Sequence, residues 1–308
     1  MKIAILLPCY HEEPTIGETV REFRRARPDA TIYVYDNNSR DRTAERALEA
    51  GAIVRREERQ GKGNVVRRMF ADVDADVYVM CDGDATYDAS RVNELIEGVV
   101  GANLDMVVGA RLLSDASAQR KGHGFGNALF NRMAGLLFGS EFNDMFSGYR
   151  AFSRRFVKSF PAITQGFEIE TELTVHAVDL RLPVREIPIP FGKRPEGSKS
   201  KLRTVRDGFH VLWTIIVLAK EVKPLAFFAL WSALGVIVSI ALAYPLLVTY
   251  WETGLVPRLP TAVLATGVML LSFLSLACGV ILDSVSRGRH EMKRLHYLSV
   301  PAPASLSR

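Results

Sequence analysis

VYVMCDGDATYD, residues 77–88, joins a short apolar run to a turn that holds Asp82, Asp84 and Asp88. Similar apolar runs occupy residues 3–7, 31–35 and 106–108, and stretches of helical pattern lie at residues 12–26, 41–50, 90–100 and 127–138. Short strand-like runs that alternate with roughly 10–15 helical residues are typical of βαβ units. The sequence therefore predicts an α/β domain with a mostly parallel central sheet.

Polar side chains follow three of the predicted strands. Residues 9–13 come after the first strand, Asp36 and Asn37 after the second, and Asp82 and Asp84 after a later one. In open α/β sheets, ligands bind outside the carboxyl ends of the strands. We therefore expect these side chains to meet at one edge of the sheet and to form the active site.

Asp82 and Asp84 have the spacing Asp-x-Asp on a turn, where two carboxylates can converge on one divalent cation. Mg²⁺ or Mn²⁺ held by one or two carboxylates takes its remaining ligands from water and from substrate phosphates. The pair therefore favours a metal site for a substrate that carries a diphosphate. An acidic surface turn without any ligand is the alternative that this motif leaves open.

Two further segments carry groups suited to a nucleotide. YDNNSRDRT, residues 35–43, places Asp36 at a strand end, where it can bind a nucleoside, and Asp41 where a helix N-cap can sit. RQGKGNVVRRM, residues 59–69, has a glycine on each side of Lys62 just before a helical pattern. Backbone N–H groups and an ammonium can approach an anion at such a helix start, although a plain loop is the competing interpretation.

The helical pattern stops after residue 181. Residues 182–201 contain prolines that exclude a helix and glycines that favour a loop: Pro183, Pro188, Pro190, Pro195, Gly192 and Gly197. A helical pattern with an apolar side returns at residues 202–219. It predicts a helix that lies in a membrane interface, and a packed core helix is the alternative.

Two uncharged stretches, residues 224–251 and 259–282, each exceed the roughly 20 residues that a membrane-spanning helix needs. Lysines and arginines flank the pair on its outer sides, and the connecting loop has only Arg258 beside Glu252. By the positive-inside rule, both termini are expected in the cytoplasm and the chain in the cytoplasmic membrane. The amino-terminal apolar segment is too short for a secretory signal, so no cleaved targeting segment is expected.

The domains expected from this pattern are a cytoplasmic catalytic domain at residues 1–200, a juxtamembrane amphipathic helix at 201–222, a two-helix transmembrane hairpin at 223–286 and a cytoplasmic basic tail at 287–308. The net charge of +5 is modest, and basic residues gather near the predicted membrane region. This favours lipid headgroups or phosphates as partners over nucleic acid. Three cysteines without a CxxC pair fit a reducing cytosol.

Seven motifs, considered together, resemble one known family. In order, they are LPCYHEEPTI, YDNNSRDRT, GKGNVVR, DGDATYD, MFSGYRAF, GFEIETEL and RPEGSKSK. The set resembles the family 2 glycosyltransferases of the polyprenyl-phosphate group, the dolichol-phosphate mannose synthase-like enzymes. The similarity covers residues 2–201, and the two spans match the membrane-anchored bacterial members. It implies a GT-A fold and transfer of a sugar from a nucleotide diphosphate to a membrane polyprenyl phosphate, usually with inversion.

The resemblance also implies roles for particular residues. The nucleoside pocket would be lined by Pro8, Tyr10, Glu12 and Asp36, with Lys62 and Asp82 nearby. Asp84, together with Asp82, would bind the Mg²⁺ or Mn²⁺ ion that bridges the diphosphate. Thr86 stands where family members often have a glutamine that serves as a further metal ligand, so the third protein ligand stays open.

The acceptor phosphate is already ionised at pH 7, so the reaction needs cations rather than a strong general base. Arg111, after the strand at residues 106–108, is the main candidate to hold this phosphate, and the segment that follows adds Arg120, Lys121 and His123. The resemblance suggests that the segments with Asp144 and with Glu168, Glu170 and Glu172 border the sugar, and it leaves open which acid acts there. We choose Asp144 and Glu170, so the catalytic candidates are Asp84, Arg111, Asp144 and Glu170. Arg194 and Lys199 resemble the family's loop that closes over the nucleotide diphosphate.

Two other functions stay open from the sequence. A processive polysaccharide synthase would normally add a QxxRW motif and more spans. A non-catalytic membrane subunit that binds a nucleotide sugar would not need both Asp82 and Asp84. The choice between UDP- and GDP-sugars and the identity of the sugar are open, and small residues in the spans, Gly235, Ser239 and Ala243, allow close helix contact in a homo-oligomer.

Overall fold

The computed structural model describes residues 1–113, 135, 142–192, 194–195 and 204–302. The chain forms two compact units. The first contains Met1–Ile215 together with Lys293–Arg308, and the second contains Ile216–Met292. The predicted helix at residues 127–138 lies almost wholly outside the described residues, as do Arg120, Lys121, His123, Gly197, Ser198 and Lys199.

The first unit is built around a seven-stranded sheet. Its strands are β1 (Ile3–Cys9), β2 (Thr31–Asp36), β3 (Ile53–Arg56), β4 (Val77–Met80), β5 (Met106–Leu113), β6 (Arg150–Ser153) and β7 (Val184–Phe191). Their order across the sheet is β3-β2-β1-β4-β6-β5-β7. Only β6 runs antiparallel to its neighbours, β4 and β5. The prediction of a mostly parallel α/β sheet is therefore confirmed.

Helices cover both faces of this sheet. They are α1 (Ile16–Ala26), α2 (Thr43–Glu49), α3 (Lys62–Asp72), α4 (Val92–Val100), α5 (Arg154–Ser159) and α6 (Ile169–Asp179). Alternate residues of β1 enter two separate hydrophobic clusters, because successive strand side chains point to opposite faces. Ile5 packs with Phe23 of α1 in one cluster, and Leu6 packs with Met69 of α3 in the other. The sheet is thus buried on both faces, which leaves the ends of its strands open to ligands.

The prediction of a loop throughout residues 182–201 was wrong for its first half. Residues 184–191 form β7, which lies at the end of the sheet and pairs with β5 along its length, and Phe191 also forms an isolated bridge with Tyr87. Proline has no N–H to donate, and it is tolerated on an edge strand. Pro188 and Pro190 are two residues apart, so their backbone nitrogens point to the same side, and we infer that this is the unpaired side.

Helix α7 (Thr204–Val222) follows, at the place where the sequence predicts an amphipathic helix. The second unit contains α8 (Pro224–Thr253) and most of α9 (Leu259–Ser299), and both helices are long and apolar enough to cross a membrane. A side chain at Gly235 would collide with Ser272, and Ser239 Oγ donates to the Ala265 carbonyl at 2.7 Å. These small residues therefore make the close contact between α8 and α9 of one chain.

Candidate active site

The carboxyl ends of β1, β2, β4 and β5 carry most of the site residues predicted from the sequence. Cys9 at the end of β1 is in register with Asp36 at the end of β2. Thr15, at the start of α1, donates through Oγ1 to the Gly83 carbonyl at 2.8 Å, which ties the segment after β1 to the acidic turn after β4. The structure thus brings the predicted strand-end groups together at one edge of the sheet.

Lys62 bridges two carboxylates from different elements. Its Nζ lies 2.5 Å from Asp82 Oδ1 and 2.5 Å from Glu170 Oε1 at the start of α6. Burial raises the pKa of the Glu170 carboxyl above its ordinary value, against the opposing charge of Lys62. Burial alone would lower the pKa of Lys62, but the two carboxylates raise it above its usual range. The ammonium is therefore fixed as a cation between two acids.

The glycines around Lys62 serve backbone packing. A Cβ on Gly63 would collide with the Thr164 carbonyl, and one on Gly61 would collide with the Gln165 carbonyl. The Gly63 N–H donates to the Gly166 carbonyl at 3.1 Å, at the start of α3. The helix-start N–H of Gly63 is thus already used within the protein, so the interpretation of the GKG segment as an anion-binding helix start finds no support. The close approach instead brings Lys62 up to Glu170.

Asp84 is nearly buried, at 3% exposure. Its Oδ2 lies 2.5 Å from Arg194 NH2, and its Oδ1 accepts hydrogen bonds from Thr86 Oγ1 at 2.6 Å and from the Thr86 N–H at 3.2 Å. Burial, followed by the charge of Asp82, raises the pKa of the Asp84 carboxyl. Thr86, at the position where a glutamine was expected from the resemblance, holds the carboxylate of Asp84 in place.

The carboxylates of this turn fit a divalent cation that takes only some of its ligands from the protein. Asp82 and Asp84 are its only evident carboxylate ligands, because no group of three or more His, Cys, Asp or Glu side chains in the described part of the chain is placed to hold a metal. Lys62 and Arg194 currently balance the charge of the two acids. Mg²⁺ or Mn²⁺ fits here with further ligands from water and substrate phosphates.

A second group of predicted residues follows β1 and β2. The rings of Tyr10 and His11 lie 4.2 Å apart between centroids, and Tyr10 is 36% exposed. The Asp36 carboxylate accepts the Ser39 N–H at 3.2 Å, and the Glu12 N–H donates to Thr43 Oγ1 at 2.9 Å. Glu12 and Asp36 are buried, and Pro8 is half-buried. Tyr10 and His11 therefore form a partly open aromatic surface beside two acids.

Arg111, near the end of β5, forms a bidentate ion pair with Asp144. Arg111 Nε lies 2.7 Å from Asp144 Oδ2, and Arg111 NH2 lies 2.7 Å from Asp144 Oδ1. The guanidinium also lies over the ring of Phe191, at 5.4 Å from its centroid. Both oxygens of Asp144 are therefore committed to Arg111, and this carboxylate orients the arginine.

Arg150 is a buried residue that is not among the site residues predicted from the sequence. It begins β6 and is 0% exposed. Its guanidinium donates to the Ser147 carbonyl at 2.9 Å, to Thr174 Oγ1 at 2.9 Å and to the Met145 carbonyl. These hydrogen bonds thus join the segment that follows Asp144 to α6. An arginine at the start of the otherwise buried run RAFS is the sequence signal that indicates such a role.

Comparisons with known proteins identify the family of this chain. The model of glycosyl transferase family 2 matches residues 4–160. Glycosyltransferase AglJ of Haloferax volcanii is 31% identical over 303 residues, covering 96% of this chain and 98% of its own length. A dolichol-phosphate mannosyltransferase of Pyrococcus furiosus is 25% identical over 252 residues, covering 78% of this chain and 70% of its own length.

A solved structure of similar fold is glucosyl-3-phosphoglycerate synthase from Mycobacterium tuberculosis in complex with Mn²⁺, UDP-glucose and phosphoglyceric acid. It has a TM-score of 0.59 and 23% identity, covering 71% of this chain and 79% of that one. At this identity the likeness concerns the fold, and it confirms the expected GT-A fold. This chain belongs to glycosyl transferase family 2, and it is a glycosyltransferase.

Proposed function

We propose that this protein is a membrane-bound glycosyltransferase that moves a sugar from a UDP- or GDP-sugar to polyprenyl phosphate, with Mg²⁺ or Mn²⁺ as its cofactor. The proposal rests on two groups of charged side chains that lie at the carboxyl ends of the strands. Asp82 and Asp84 face Lys62 and Arg194, and the Arg111–Asp144 pair lies at the end of β5. The relative named for dolichol phosphate and the two helices of membrane-spanning length support a lipid acceptor.

On the donor side, Asp82 and Asp84 would hold the cation, which would neutralise the charge that develops on the departing nucleotide diphosphate. Arg194, now paired with Asp84, would bind that diphosphate. By the resemblance, Lys199, which lies outside the described residues, would bind it too. Pro8, Tyr10, Glu12 and Asp36 would line the nucleoside pocket, with the Tyr10 ring as a surface on which the base can stack.

On the acceptor side, an oxygen of the ionised lipid phosphate attacks the anomeric carbon as the bond from that carbon to the nucleotide diphosphate breaks. No proton needs to be removed from this nucleophile. The Arg111 guanidinium, held by Asp144, would orient the phosphate and offset its repulsion from the donor. Glu170 would act through Lys62 rather than on the sugar, because its Oε1 lies against that ammonium.

The same proposal includes the membrane arrangement expected from the sequence. The catalytic domain at residues 1–200 and both termini would face the cytoplasm, and the hairpin at residues 223–286 would cross the membrane. Basic residues on the outer sides of the two spans support this orientation. A non-catalytic role is excluded by the membership in a glycosyltransferase family, and no observation on the described residues favours a processive synthase.

The test is a transfer assay with purified protein in detergent, polyprenyl phosphate, Mn²⁺ or Mg²⁺ and a panel of radiolabelled UDP- and GDP-sugars. Label is expected in the lipid phase with one donor, and Asp84→Ala should abolish it. Asp88→Ala is the matched control, because Asp88 lies in the same turn but accepts the Ser90 N–H at 2.9 Å, away from Lys62 and Arg194. Equal transfer by wild type and Asp84→Ala would contradict the proposal.

A further inference from the structure

The last residues of α9 pack against the first unit. The sequence predicts a cytoplasmic basic tail from residue 287 onward, whereas the helix continues to Ser299. Tyr297, near its end, is only 6% exposed and belongs to the same hydrophobic cluster as Phe156 and Leu180. Residues 293–299, which we name the C-terminal anchor, are therefore part of the packed structure of the first unit.

The anchor forms a hydrogen bond with a buried carboxylate. Asp105, directly before β5, is 0% exposed. Its oxygens accept hydrogen bonds from Tyr297 Oη at 2.7 Å, from Ser153 Oγ at 2.6 Å and from Arg155 Nε at 2.5 Å. A buried charge is costly unless it is paired and hydrogen-bonded. Removal of the Tyr297 hydroxyl would therefore leave Asp105 with one donor fewer.

Cationic groups surround the tyrosine of the anchor. The guanidinium groups of Arg155 and Arg294 lie 4.9 Å and 5.0 Å from the centroid of the Tyr297 ring. Lys293 Nζ, one turn earlier, lies 3.2 Å from Asp179 Oδ2 at the end of α6. The anchor thus contacts the residue directly before β5, helix α5 and helix α6.

The position of Asp105 relates the anchor to the candidate active site. Asp105 precedes β5 at its amino end, and Arg111 lies six residues later near its carboxyl end. At a rise of about 3.3 Å per residue, this separation is about 20 Å along the strand. Ser153 likewise ends β6, which begins at the site with Arg150. The anchor therefore contacts the residue that precedes β5, at the opposite end of that strand from Arg111, and the same residue, Asp105, binds Ser153 at the end of β6.

We propose that the first unit requires the C-terminal anchor to keep its packed structure. Tyr297 is the key residue of this anchor. The surface formed by Asp105, Arg155 and Asp179 is a docking surface for residues 293–299 of the same chain. The anchor keeps the starts of β5 and α5 ordered.

Hydrogen–deuterium exchange of the full chain in detergent, with two Tyr297 variants, tests this proposal. Tyr297→Phe removes only the hydroxyl and should raise amide exchange in residues 294–299 several-fold, with a smaller rise at residues 153–156. Tyr297→Ala removes the ring as well and should raise exchange in both segments by about tenfold or more. It should also speed trypsin cleavage at Lys293 and Arg294.

Leu298→Ala is the matched control, because Leu298 is the neighbouring residue on the same helix and is 62% exposed. It should leave exchange and cleavage as in the wild type. If Tyr297→Phe and Tyr297→Ala both match Leu298→Ala in these segments, the proposed anchor is wrong. If Tyr297→Ala does not fold, the rise in exchange in Tyr297→Phe decides between the two outcomes.

Discussion

Lys62 is the residue on which the charge balance of the candidate site depends most. It is the shared partner of Asp82 and Glu170, and its side chain is only 10% exposed. Lys62→Met would leave two close carboxylates without a cation in a poorly solvated place. We expect sugar transfer to fall by about 100-fold in kcat, a loss typical of removing a fixed charge from an active site.

A double-mutant cycle separates the role of Glu170 from that of Lys62. If Glu170 acts only through the ammonium, Glu170→Gln added to Lys62→Met should cause little further loss of kcat. Independent, multiplying losses would show instead that Glu170 contacts the substrate directly. Steady-state kinetics of the wild type and the three variants measure the coupling.

Asp144 offers a second test at the level of single residues. Both of its oxygens hold Arg111, so Asp144→Asn should leave Arg111 less well oriented. We expect KM for polyprenyl phosphate to rise by about tenfold, with KM for the sugar nucleotide unchanged. Arg111→Ala should produce the same pattern with a larger effect. A rise confined to the donor KM would place this pair on the other substrate.

At the scale of elements, the contact of α3 with residues 164–166 determines where Lys62 lies. Gly63→Ala would push a methyl group into the Thr164 carbonyl, which is backbone and cannot rotate away. The free energy of unfolding should fall by about 1–3 kcal/mol, the usual cost of overpacking. Transfer activity should fall with it, because Lys62 follows the displaced helix.

Gly17→Ala is the control for this prediction. Gly17 also lies in the first turn of a helix, but a Cβ there would meet the Arg21 side chain at 3.5 Å, an ordinary contact. Its stability should stay within about 1 kcal/mol of the wild type, on the favourable side. Urea denaturation of both variants provides the comparison. Equal stability of Gly63→Ala and Gly17→Ala would show that α3 tolerates the displacement.

The elements that the sequence predicted correctly are those with a strong local signal. Val77, Tyr78, Val79 and Met80 form an apolar run before an acidic turn, and they form β4 as expected. Strand β7 was missed because its prolines are a poor local fit to a strand, and only its edge position makes them acceptable. Strand β6 was missed because it is short and begins with a charged residue, Arg150, which bonds Thr174 of α6 as well as neighbours along the chain.

The site residues divide in the same way. Asp82, Asp84, Lys62 and Arg194 could be named from motifs, since each motif is local in the sequence. Their pairing could not be predicted, because the Lys62–Glu170 contact joins residues that are far apart along the chain. The role of Asp144 as the partner of Arg111 depends in the same way on a contact between separate segments.

At the scale of the whole molecule, a buried histidine should make stability depend on pH. Burial, with a contribution from Lys293 that Asp179 opposes, lowers the pKa of His176 to about 3. Between that value and the ordinary pKa of about 6.5, the unfolded chain binds a proton that the folded chain does not. Stability should therefore fall as the pH drops below about 6.5, by up to about 1.4 kcal/mol per pH unit.

His176→Gln removes this titrating group, so the stability should depend less steeply on pH. The measurement is the apparent Tm of both proteins in detergent between pH 7.5 and 5. The remaining slope reports the other titrating groups, so the difference between the two slopes belongs to His176. Parallel curves for the two proteins would show that His176 has the same pKa in the folded and the unfolded chain, contrary to its burial beside Phe156 and Phe160.

In the proposed mechanism, Asp82 and Asp84 hold a divalent cation against the nucleotide diphosphate of the donor. Pulsed EPR of Mn²⁺ bound to the full chain in detergent tests it most directly, because coupling to ³¹P reports whether the ion contacts the diphosphate. With the nucleoside diphosphate of the active donor, the wild type should show protein-bound Mn²⁺ with ³¹P coupling, and Asp84→Asn should show only Mn²⁺–nucleotide free in solution. Protein-bound Mn²⁺ with undiminished coupling in Asp84→Asn would contradict this mechanism.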